Sequence, residues 1–145
     1  MIARIVLGSI VMLCVLALPL HADGKVVVQK YFNDAAQKVR ATDDPSEKRV
    51  ILGQSLQTMS RVLEAAKASP SVSAADIISL DRLNATIRDK QDELAGRNGY
   101  AGVSDQKLNA FSDYVVQDME QADTVVTVSL VTLLLIGILL ILLVK

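Results

Sequence analysis

Val125 to Val144 is a run of 20 residues without a charge, followed by Lys145. As a helix it would be about 30 Å long, which matches the hydrocarbon thickness of a bilayer. It is expected to be a permanent transmembrane helix in contact with membrane lipid. A removable lipid-anchor tail would need small residues at the attachment point and then a polar spacer. Gln121-Ala122-Asp123-Thr124 supplies almost no such spacer. The interior of the run holds Thr127, Ser129, Thr132 and Gly137, spaced too irregularly for a small-residue packing motif. With no buried charge, the run is read as a lipid-facing anchor and not as an ion pathway.

No Gly or Pro occurs between Val103 and Gly137. The amphipathic stretch before the anchor and the anchor itself are therefore expected to form one helix of about 40 residues, near 60 Å long. Leu108, Phe111, Val115, Met119, Ala122 and Val126 recur at steps of three and four, with Asp113, Gln117, Glu120 and Thr124 opposite. Ser104 is placed to cap its start.

The other end of the chain is also apolar. Arg4 supplies a positive charge, Ile5 to Leu18 is broken only by Gly8 and Ser9, and Pro19 precedes Leu20-His21-Ala22. This pattern reads as a signal peptide over 1–22 with cleavage after Ala22, an uncleaved N-terminal anchor being the alternative. Delivery by a signal places residues 23–124 outside the cytoplasm, in the periplasm or at the cell surface if the source is bacterial, and Lys145 inside. Between 105 and 124 only Lys107 is basic, which suits the outer side of a membrane.

Residues 23–124 have the apolar content of an ordinary soluble domain, and three further segments repeat with helical period. The first spans about 25–42 with Val28, Tyr31, Phe32, Ala35 and Val39 on one face. The second starts at Asp44-Pro45, with Glu47 completing a capping-box-like spacing, and runs to about Ala68. Its stripe is Leu52, Leu56, Met59, Leu63 and Ala66. The third follows Ser69-Pro70-Ser71, starts from Ser73 and continues to Ala95, with Leu80, Leu83, Ile87 and Leu94 inward and Lys90 and Gln91 as a weak spot. The expected fold is all-α, a small up-down-up-down four-helix bundle whose last helix continues into the membrane. That order puts Asp43-Asp44-Pro45 and the glycine loop after the third helix together at the membrane-distal tip. The layout is loosely similar to the helical sensor domains of membrane receptors. With only Lys145 expected inside, any output would need a partner.

The loop reads Gly96-Arg97-Asn98-Gly99-Tyr100-Ala101-Gly102. It lacks the Lys-Ser/Thr of a phosphate loop and the strand of a dinucleotide fingerprint. Nucleic-acid binding is not expected, because acids outnumber bases and no sheet is present to carry a clamp. The conformational reading has Gly96 ending a helix in left-handed geometry, Asn98-Gly99 turning, and Gly102 leading back into the bundle. The functional reading makes Arg97, Asn98 and Tyr100 a candidate partner-binding tip, since Tyr and Arg are common interface anchors.

Cys14 and His21 are the only Cys and His, and both lie in the signal segment. The domain is expected to use no disulfide, thiol, imidazole, metal or cofactor, and catalysis is not expected. Asn84-Ala85-Thr86 fits a glycosylation acceptor but falls mid-helix beside the buried face. Arg88 and Asp92, one turn apart, are read as a surface ion pair within a solvated patch that includes Asp89, Lys90 and Glu93. The expected function is a non-enzymatic interaction or scaffold module with a protein partner. The alternatives are a small-ligand sensor or carrier bundle, and a self-assembling membrane protein.

Overall fold

The computed structural model describes residues 24–70 and 72–121. The expected signal segment 1–22, its expected cleavage point at Ala22 and the expected anchor 125–144 lie outside the described residues. Within them the chain is all-α, with four helices in antiparallel contact: α1 (Gly24–Ala41), α2 (Pro45–Lys67), α3 (Ala74–Ala95) and α4 (Leu108–Gln121). A 3₁₀ turn, Asp105–Lys107, leads into α4. No described helix is long and apolar enough to cross a membrane.

Side-chain caps explain where α2 and α3 start. The Ser46 N–H donates to Asp44 Oδ1 at 2.9 Å, and Pro45 occupies the first helical position, where a missing N–H costs nothing. The Asp76 N–H donates to Ser73 Oγ at 3.1 Å. Ser104 behaves differently: its backbone is extended as expected of a cap, but its hydroxyl makes no capping bond. The first turn tightens instead, and the Lys107 N–H closes on the Ser104 carbonyl at 3.0 Å. Val26-Val27-Val28, the one short strand-like run, lies inside α1.

The four inward stripes meet in one core. Val28, Phe32 and Val39 of α1 pack with Leu52, Leu56, Met59 and Leu63 of α2, Leu80, Leu83 and Ile87 of α3, and Leu108, Phe111, Val115 and Met119 of α4. Polar contacts fix the register around it. The Tyr31 hydroxyl of α1 donates to the Ser55 carbonyl of α2 at 3.1 Å, and Arg40 of α1 pairs with Asp113 of α4. Of the neighbouring pairs, α3 and α4 have the sparsest backbone contact, α1 lying chiefly along α4 and α2 along α3. Lys48 and Arg49, just after the α1–α2 turn, reach Asn109 and the carbonyls of Leu94 and Val103. The α1–α2 turn and the glycine loop therefore share one end of the bundle.

Candidate interaction site

At that end α3 stops because Gly96 adopts left-handed geometry, with φ 71°. The Arg97 N–H then closes on the Asp92 carbonyl at 2.8 Å, satisfying a group the helix end would otherwise leave open. Asn98 and Gly99 also take positive φ, 53° and 89°, and the Tyr100 N–H donates back to the Arg97 carbonyl at 3.1 Å. Gly102, at φ 83°, brings the chain back so closely that a Cβ on Gly96 would lie 3.2 Å from the Gly102 backbone. The three glycines thus form a helix stop, a turn and a re-entry.

The loop is tied down from two sides. Arg49 of α2 reaches under it, donating to the Leu94 carbonyl at 3.3 Å, the Val103 carbonyl at 2.8 Å and Asp105 Oδ1 at 2.9 Å. From α3, Asp92 receives the Arg97 guanidinium at 3.2 Å and the Asn98 carboxamide at 2.6 Å. Asp89 accepts from the Tyr100 hydroxyl at 2.7 Å. That last bond is the main reason the Tyr100 phenol ionises above the ordinary tyrosine value. All three candidate residues are exposed, Tyr100 at 39% and the Arg97 side chain at 64%.

Comparison with protein-family models, curated proteins and solved structures finds no match.

The charged patch on α3 divides into groups with different partners. Arg88 and Asp92 do not pair with each other: Arg88 crosses to Glu64 of α2 at 3.2 Å, while Asp92 serves the loop. A cross-helix carboxylate and two loop donors offer charge-assisted bonds that a one-turn pair on a solvated face cannot match. Lys90 leaves the surface altogether. Its side chain is 3% exposed, with Nζ 3.0 Å from Glu93, 2.8 Å from Asp118 of α4 and 3.8 Å from the Tyr114 ring centroid. Burial opposes its charge, but the bonds with Asp118, Tyr114 and Glu93 outweigh that effect and hold its pKa above the ordinary lysine value. The weak spot at Lys90 is therefore filled by its own side chain.

An open groove of about 380 Å³ runs between α2 and α3, lined by Glu64, Lys67, Asp81, Asn84, Arg88 and Asp89 among others. Lys67 pairs with Glu64 and Asp81, and Arg88 with Glu64, while Asp89 bonds the Tyr100 hydroxyl of the loop. Asn84, 3% exposed, accepts from Ser60 at 2.7 Å and donates to Glu64. Its amide is structural, and the acceptor tripeptide is closed to modification in the folded bundle. Among the described residues no cluster of three or more His, Cys, Asp or Glu could hold a metal ion.

Asp89, Asp92 and Arg49 are what the sequence reading of the loop missed. Asp92 lies four residues before Gly96, close enough to be suspected as a brace. Asp89 is eleven residues from Tyr100, and only the folded turn joins them. The sole signal for Arg49 was its place beside the Asp43-Asp44-Pro45 turn, which shares the loop's end of the bundle.

Proposed function

We propose that this chain is a non-enzymatic, membrane-anchored helical interaction module that works outside the cytoplasm and engages a protein partner. One observation carries the reading. Arg97, Asn98 and Tyr100 stand side by side, exposed, on a loop braced from beneath by Arg49. A braced loop loses less freedom on binding than a loose one, and Arg and Tyr supply large anchors. α4 leaves from this end and runs away from it toward the uncharged segment 125–144. An anchor continuing from α4 would therefore present the loop at the far side from the membrane. The region from 24 to 121 also contains no His or Cys, the commonest general base and thiol nucleophile.

The test is site-specific photocrosslinking in native membranes. A crosslinker at position 97 or 100 is expected to trap one discrete adduct, and one at exposed Gln57 on α2 is not. Arg97→Ala and Tyr100→Ala should weaken capture of the same partner after mild detergent extraction. Recovery of the chain alone from both tip positions would remove the basis of the proposal.

A further inference from the structure

Cross-helix contacts give α4 a register against each of its neighbours. Lys90 of α3 meets Tyr114 and Asp118, Arg40 of α1 meets Asp113, and Lys48 of α2 meets Asn109. Every helix rises by the same amount per residue, so each contact fixes the depth of the residues below it. Val28 of α1 is then level with about residue 125, Ala66 of α2 with about residue 127, and Leu80 of α3 with about residues 124–128. Three separate helices thus agree that the core continues below Gln121, where the described part of α4 ends. Val28, Leu63, Ala66 and Leu80 all belong to that core, 1–8% exposed. The surface at the same depth is charged: Asp81 and Arg82 are exposed, and Lys67 bridges to Asp81.

These depths conflict with a bilayer that begins at Val125. Hydrocarbon at that level would surround Asp81, Arg82 and Lys67, and it excludes charges with no water to solvate them. No Gly or Pro occurs between Val103 and Gly137, so nothing in the sequence bends the chain away from the bundle after Gln121. The stripe Leu108, Phe111, Val115 and Met119 that packs in the core continues at the same spacing through Ala122, Val126 and Leu130. We propose that residues 122–130 form the lower part of the bundle's fourth wall, packed on Val28, Ala66 and Leu80, and that only about 131–144 enters the bilayer. The second half of this statement rests on the reading of the apolar run as an anchor. A helix of those roughly 14 residues is about 21 Å long, against about 30 Å for the hydrocarbon. A span that short thins the bilayer around it, and it holds the base of the bundle against the headgroups with no free linker between. The tip loop is then carried at a fixed height instead of swinging on a tether.

The experiment places a photoreactive aliphatic side chain at position 119, 126 or 138 of the full chain in native membranes, with adducts identified by mass spectrometry. Met119, which lies in the core, is the reference for an intramolecular adduct. Position 126 should behave like 119, joining to peptides that contain Val28, Ala66 or Leu80, with intramolecular products about tenfold above lipid ones. Position 138 should do the reverse. In detergent micelles, Val126→Ala should lower the amide protection of α2 residues 52–63 about tenfold, and Ile138→Ala should leave it unchanged. A lipid adduct, an adduct to a second chain or no adduct at 126 would overturn the inference, as would equal α2 protection in the two variants. Absence of lipid adducts at 138 alone would count against the anchor and leave the packing of 126 in place.

Discussion

A buried ammonium persists only where the protein replaces the water it has given up, and Lys90 finds Glu93, Asp118 and the Tyr114 ring. Removing the cation would leave two carboxylates facing each other across the thinnest seam of the bundle. Lys90→Ala is expected to destabilise the fold by about 3 kcal/mol, measured by urea unfolding followed by circular dichroism. Lys90→Met, which refills the space, should cost less. Because the folded pKa lies above the ordinary lysine value, the ammonium's contribution is complete below about pH 10.4 and is lost only as pH rises further. Tyr31 follows the same sign. Burial, partly offset by the side chains of Thr58 and Ser55, pushes its phenol up to about 12. Its stabilising effect is full below about pH 10 and fades as pH climbs toward 12. Absorbance titration should show that Tyr31→Phe removes the last-ionising tyrosine, while the raised step of Tyr100 remains. Neither side chain announced this in the sequence. Lys90 broke an apolar stripe, and only the position of α4 decides whether such a break is a gap or a buried pair.

Helices were the most legible level, because period, caps and breakers repeat the same message in neighbouring residues. Asp44-Pro45 and Ser73 mark the starts of α2 and α3, and Gly96 the end of α3, within a residue of where the chain turns. At Ser104 the expected capping bond is absent: the chain enters α4 through a 3₁₀ turn, where Arg49 of another helix meets Asp105. Two glycines test the distinction between a tolerated and a required residue. A Cβ on Gly53, inside α2, meets nothing within 4 Å. Gly53→Ala should therefore stabilise the bundle by about 0.5–1 kcal/mol, read as a higher urea midpoint with unchanged slope. Gly96→Ala should do the reverse, by about 1–2 kcal/mol or more. It forces a side chain into left-handed geometry and against the Gly102 backbone 3.2 Å away. A neutral result at Gly96 would show that the helix stop does not need its left-handed geometry.

At the scale of the whole molecule, the sequence carried the helical class and the shared end of the two loops, because both follow from counting elements. The Asp89–Tyr100 bond was out of reach, since it joins positions that only folding brings together. Orientation is a separate question, for which the two apolar ends and the scarcity of Lys and Arg between 105 and 124 set only the expectation. If a signal delivers the domain and 125–144 stops in the bilayer, position 47, exposed beside the α1–α2 turn, should face outward. Cys14 is the only cysteine, so a Cys14→Ser background leaves a clean probe. In intact cells a membrane-impermeant maleimide should label Glu47→Cys fully, and Lys145→Cys only after permeabilisation. The opposite pattern would place the tip loop in the cytoplasm. Labelling of both sites in intact cells would mean that 125–144 does not hold the chain across the membrane, and the interaction module would have to be reconsidered as a peripheral or secreted bundle.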